Sequence, residues 1–159
     1  MKHVLPSLCA LAGLLGAGTA TATGLHPLGS TGPGRAPVEF IDSGRFGDLP
    51  FSDAVQVGNV VYLSGEIGYD ASTGKLVPGG IRAETWQLMN NIKASVEARG
   101  YRMQDVVKCT AMLADMADWP AFNEIYRSFF SKPYPARSAF GANGLALGAR
   151  AEVECIAAR

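Results

Sequence analysis

Histidine is nearly missing from this chain. Its two histidines, His3 and His26, both lie ahead of the first stretch with strand or helix patterning. A zinc site or a histidine-based catalytic triad is therefore not expected in the remainder. Neither sign of charge is in excess, with 14 Lys and Arg against 14 Asp and Glu, and no run of basic residues stands out. The phosphate-directed attraction that dominates nucleic-acid affinity is thus lacking, and nucleic acid is not expected as a partner. Long hydrophobic runs are also lacking. The one apolar run without charge, residues 4–18, is rich in Gly and Ala and falls short of the ~20 residues that a spanning helix needs.

That run has a different use. It follows the basic start Met1-Lys2-His3 and precedes Ala20-Thr21-Ala22, a small-x-small cleavage pattern. Residues 1–22 are expected to be a signal peptide cleaved after Ala22, leaving an exported protein, periplasmic or secreted, with no membrane attachment. Residues 23–37 hold Gly24, Pro27, Gly29, Gly32, Pro33, Gly34 and Pro37 and little to bury, so a disordered leader is expected. Residues 38–159 are then one domain, able to bury roughly two-thirds of its unfolded surface. Of the three cysteines, Cys109 and Cys155 remain after cleavage, each in an apolar strand-like run. An oxidising compartment permits a disulfide between them, but two free, buried thiols are the expectation.

Within the domain, residues 38–41, 53–57 and 60–64 read as strands, the last two joined by a turn at Gly58-Asn59. Residues 70–80 read as a loop. Leu88, Ile92 and Val96 recur at four-residue spacing, which predicts a helix over 81–99 closed by Gly100. Residues 106–113 form a further strand. Asp118 is the candidate N-cap of a second helix over 119–130, with Pro120 in its first turn and Phe122, Ile125, Tyr126, Phe129 and Phe130 as its apolar stripe. Residues 137–140 and 149–157 complete the strands around a Gly-rich stretch. This order argues for a two-layer α+β domain with two helices on one face of a mixed sheet. The other sheet face keeps apolar positions, and self-association follows from its exposure.

Pro135-Ala136-Arg137-Ser138 places a guanidinium inside an apolar strand-like stretch, and residues 149–157 bring carboxylates close after it. A buried, unpaired charge is costly, so Arg137 needs an anionic partner. Two readings stand side by side. The partner is Glu152 or Glu154 in a structural ion pair, or it is a small carboxylate ligand held by the flat fork of donors.

Four segments, Leu63-Ser64-Gly65-Glu66-Ile67, Phe122-Asn123-Glu124-Ile125-Tyr126, Pro135-Ala136-Arg137-Ser138 and Glu152-Val153-Glu154-Cys155-Ile156-Ala157, resemble in order and spacing the motifs of the RidA/YjgF family of imine/enamine deaminases, formerly called the L-PSP endoribonuclease or translation-inhibitor family. The resemblance covers the whole domain. It implies a chorismate-mutase-like fold, a homotrimer with sites in the clefts between subunits, and no cofactor or metal. It assigns Arg137 to the substrate carboxylate and Glu152 to the attacking water. Ser64 and Asn123 align with residues near the cleft. Phe51 stands where the deaminases carry a substrate-contacting tyrosine, and Ala139 where they commonly carry a cysteine. Ala139 keeps its backbone carbonyl as an acceptor, whereas Phe51 lacks the hydroxyl. The implied activity is hydrolysis of 2-imino acids to 2-keto acids and ammonia. Two further classes are a non-enzymatic trimeric module, small-carboxylate-binding or chaperone-like, and a ribonuclease, which the balanced charge and the lack of histidine disfavour.

Overall fold

A computed structural model describes residues 34–45 and 47–159. The expected signal peptide and most of the expected leader lie outside the described residues. One compact unit spans Arg35–Arg159.

Strands β1 (Val38–Ile41), β2 (Ala54–Val57), β3 (Val60–Leu63) and β4 (Glu66–Ile67) are followed by a short pair, β5 (Tyr69–Asp70) and β6 (Lys75–Leu76). Helix α1 (Gly80–Glu97), β7 (Val106–Leu113), α2 (Trp119–Ser128), β8 (Ala136–Gly141) and β9 (Ala151–Ala158) complete the chain. The main sheet runs β1-β2-β3-β9-β7-β8, with β4 also beside β9. Among the described strands only β7 and β8 pair in parallel, so α2 is their crossover. This is the expected α+β sandwich of a mixed sheet and two helices.

Alternation along the strands explains the two layers. In β9, Ala151, Val153, Cys155 and Ala157 are buried, and the residues between them are not. The buried set meets Leu88, Met89, Ile92 and Val96 of α1 and Phe122 and Tyr126 of α2. Gly100 takes φ +75° after α1, the left-handed backbone that suits glycine there. Among the described residues nothing covers the opposite sheet face, and Phe40, Tyr62 and Phe140 are about half exposed or more on it.

Several expectations need correction. Cys109 and Cys155 form a disulfide rather than two free thiols. Strand register sets them directly opposite across β7 and β9, with Cα atoms 4.1 Å apart. Residues 70–80 are not wholly loop. Asp70 accepts the Ser72 N–H at 2.9 Å and its hydroxyl at 2.7 Å, closing a tight turn between β5 and β6. Asp118 stands at the N-cap of α2 but makes no side-chain cap bond. Its carboxylate instead accepts from the Arg150 guanidinium at 2.8 and 2.6 Å. Asp115 does the capping one turn earlier, accepting the Ala117 N–H at 2.9 Å. Both helices end two residues before the expected boundary.

Candidate functional site

Between β3 and β4 the pairing with β9 advances by an extra residue. Tyr62 opposes Ile156, and Glu66 opposes Val153. Four steps on one strand match three on the other, so residues 63–65 form a bulge, the usual device for re-aiming side chains beside a site. Ser64 uses its hydroxyl to donate to the Ser52 carbonyl at 2.6 Å. This ties the bulge to the segment before β2, and the hydroxyl oxygen still has acceptor capacity.

Gly65 makes room for Glu152. A Cβ on residue 65 would lie 2.9 Å from the Glu152 Cδ and 3.1 Å from its Cγ, closer than packed atoms tolerate. The carboxylate thus crosses directly over the glycine backbone. Burial pushes the Glu152 carboxyl above its ordinary value, and the neighbouring Glu154 charge pushes it the same way. Ser64, Gly65 and Glu152 line a cavity of about 530 Å³ whose other walls include Leu49, Phe51 and Leu147. Leu147 has φ 56°, the one non-glycine residue at positive φ among the described residues, and is 70% exposed. Phe51 is 46% exposed at the cavity.

Arg137 lies elsewhere in the same chain. On β8 it pairs with Cys109, which in turn pairs with Cys155, so all three point to the helix side of the sheet. Glu152 and Glu154 are out of phase with Cys155 and point to the open side. Strand parity alone keeps Arg137 from either carboxylate, and among the described residues it forms no ion pair. Its guanidinium is stacked between two rings of α2, 4.7 Å from Trp119 and 4.6 Å from Tyr126. Trp119 and Tyr126 are seven residues apart, two helical turns, and so share a face. Cation–π contact on both sides fixes the plane of the fork without neutralising it. Burial raises the Tyr126 hydroxyl to about 12, the Arg137 charge opposing, so the ring stays neutral. Asn123, Tyr126, Tyr134 and Arg137 line a second recess of about 260 Å³. Ala139, two residues along β8, is partly buried against the core.

The candidate residues therefore fall into two groups. Phe51, Ser64 and Glu152 share one cavity, and Asn123 and Arg137 share another recess, on the far side of the sheet. Sequence reading missed the stacked rings: it placed Tyr126 only in an apolar stripe and Trp119 only at the start of the helix. The seven-residue spacing of Trp119 and Tyr126 was the signal for them. It also missed the part Gly65 plays for Glu152. Among the described residues no cluster of His, Cys, Asp and Glu gathers as a metal site, and no helix is long and apolar enough to cross a membrane.

The model of a family described as "Endoribonuclease L-PSP" matches residues 47–159. A Dermatophagoides farinae protein named 2-iminobutanoate/2-iminopropanoate deaminase is 49% identical over 107 residues, covering 67% of this chain and 84% of that protein. The chain belongs to the RidA/YjgF family. A mouse protein of the same name is 44% identical, covering 68% of this chain and 80% of that protein. Among solved structures, RidA from Psychrobacter sp. PAMC 21119 superposes with TM-score 0.71 at 37% identity, over 76% of this chain and 99% of that one. Escherichia coli TdcF with bound serine superposes with TM-score 0.70 at 30% identity, over 76% of this chain and 98% of that one.

Proposed function

We propose that this protein is an exported 2-imino acid deaminase that works as a homotrimer. The observation that carries the reading is Arg137, a fixed guanidinium without a carboxylate partner among the described residues, in a chain 41–49% identical to several proteins named for imine deamination. An imino acid supplies the missing carboxylate. Two parallel hydrogen bonds from Arg137 hold it and orient the C=N carbon. Water attacks that carbon of the protonated imine while Glu152 takes its proton; the carbinolamine nitrogen takes that proton back, ammonia leaves as the C–N bond breaks, and the hydroxyl proton passes to solvent, so a 2-oxo acid remains. The raised affinity of Glu152 for protons suits a group that must both accept and return one.

Neither half of this machinery suffices in one chain, because Arg137 and Glu152 face opposite sides of the sheet. A neighbouring copy supplies the other half. The apolar sheet face and the outer edge of β8, both left open among the described residues, support such an assembly. Export is supported by the Cys109–Cys155 disulfide, which persists in oxidising compartments.

The test couples an amino-acid oxidase to the purified protein in the presence of semicarbazide, which traps free imine. Loss of semicarbazone with matching release of ammonia is expected. Keto-acid binding with no effect on trapping would instead assign a binding module, and cleavage of RNA with no effect on trapping a ribonuclease. Arg137→Ala is expected to abolish both turnover and keto-acid binding while the trimer persists, and light scattering to give about three times the monomer mass.

A further inference from the structure

Glu66 is an acid that this mechanism does not use. It stands two residues after Ser64, on β4, and is only 5% exposed. A carboxylate so deeply buried needs a counter-charge. Arg45 supplies it, with Nη2 donating to Glu66 Oε1 at 2.6 Å. The Ser95 hydroxyl of α1 lies 3.4 Å from the same oxygen. Arg45 also approaches a second buried acid, with its Nε 3.6 Å from Asp53 Oδ1. Asp53 in turn accepts the Ser43 N–H through its other oxygen at 2.5 Å.

These contacts join two things that the sequence separates. Arg45 and Ser43 belong to the connection between β1 and β2. Glu66 belongs to the strand that follows the Ser64-Gly65 bulge. The same connection carries Leu49 and leads into Phe51, and both line the 530 Å³ cavity together with Ser64 and Glu152. Arg45 and Glu66 line the cavity as well. Moving the wall outward strands the Glu66 carboxylate in the protein without its cation, and it separates Arg45 from Asp53. Charge neutralisation inside the fold thus bears on where the wall stands, beside the Ser64 bonds to Ser52 and Asp53.

Resting on the deaminase reading, we propose that the Arg45–Glu66 pair is a clasp that sets the width of the cavity, and so the size of the side chain that the substrate can carry. Both are positioning residues: they act on Leu49 and Phe51, and through them on the part of the substrate away from the C=N bond. The wall they hold is apolar, so the side chains it sorts are hydrocarbon ones. Discrimination by such a wall is worth roughly tenfold to a hundredfold per methylene or so.

The test uses the mature protein with Arg45→Gln, Glu66→Gln and the double variant. Imino acids with a methyl or an isobutyl side chain are generated by an amino-acid oxidase. The ratio of their kcat/KM values is measured beside amide hydrogen exchange. Arg45→Gln is expected to shift the isobutyl-to-methyl ratio by roughly tenfold in favour of the larger substrate. The change should sit in KM rather than kcat, with faster exchange over residues 43–53 and not in β7 or β9. Adding Glu66→Gln removes the stranded charge and lets two amides pair, so the double variant should move back toward the wild-type ratio. It also supplies the measurement if the single variant does not fold. A ratio unchanged within twofold overturns the clasp. So does an equal loss for both substrates accompanied by faster exchange throughout the domain, which marks a structural pair. If the wild-type protein turns over neither imino acid, the deaminase reading fails by itself. The clasp is then decided by the same exchange pattern and by the binding ratio of the two matching 2-oxo acids.

Discussion

Gly65→Ala tests the placement of Glu152 without touching a charged group. Gly65 does not have a positive φ, so its backbone accepts alanine, and the new methyl group is the whole perturbation. That methyl would stand 2.9 Å from the Glu152 Cδ, against an ordinary contact of 3.4–4 Å. The Glu152 Oε1 meets the methyl first, so the end of the side chain must swing by about an ångström or more. Misplacement of that size in a reacting group costs on the order of a hundredfold in rate. The fold suffers less, because overpacking by one methyl costs about 1–3 kcal/mol and the end of a glutamate can move. For a domain of this size that lowers Tm by roughly 4 °C per kcal/mol. The assay is the oxidase-coupled trapping experiment, with keto-acid affinity measured by calorimetry. Turnover should fall by about two orders of magnitude while keto-acid affinity changes by a few-fold at most, since Arg137 and not Glu152 holds the carboxylate. In the Gly65→Ala background, Glu152→Gln should add little, because the two changes disable one group. Full activity in Gly65→Ala would show that the carboxylate over Gly65 is not in its working position, and the assignment of Glu152 as base would fall.

Other outcomes follow from the same geometry. Trp119→Leu removes one ring from the Arg137 stack and should weaken keto-acid binding by roughly three- to tenfold, as expected for a cation–π contact of about 1 kcal/mol, whereas Trp119→Phe should retain most of it. Burial and Glu154 both favour protonated Glu152, so the active carboxylate form is lost as pH falls through a value above the ordinary 4.5. Glu154→Gln should move the acidic limb of the pH–rate profile to lower pH. The same shift means that this group's contribution to stability is present below 4.5 and is lost as pH rises through its folded value, so a slight gain in Tm on mild acidification is expected from Glu152 alone. Alkylation without reductant should leave Cys109 and Cys155 unmodified even in denaturant. Reduction of a bridge spanning 46 residues should lower stability by up to about 4 kcal/mol, readable as a shift in denaturant midpoint.

The elements were legible because their periods were clean. Four-residue spacing of Leu88, Ile92 and Val96 and alternation in residues 149–157 each allow one reading. Boundaries were less so, since the 70–80 turn chemistry competes with strand pairing over only two residues per side. The cysteine pairing could not be read from sequence, because it depends on the β7–β9 register, and apolar runs do not state their partner. For the site, the sequence held the right residue types but not their sides. Arg137 and Glu152 are only fifteen positions apart, and nothing local says that strand parity sends them to opposite faces. Glu66 was hidden for another reason. Its partner Arg45 sits in a loop without period, so the ion pair has no pattern in the chain.

The division of the site between copies is the central claim, and subunit mixing tests it most directly. Arg137→Ala and Glu152→Gln each disable one half of the site, and each homotrimer should be close to inactive. When the two variants are co-expressed or refolded together in equal amounts, a site is intact only if both halves come from unaltered positions. With random assembly of a cyclic trimer this holds for about one site in four. Activity near a quarter of the wild-type value is the expected result. Activity that stays at the level of the two parents, in mixtures shown by mass spectrometry to contain hybrid trimers, would contradict the account.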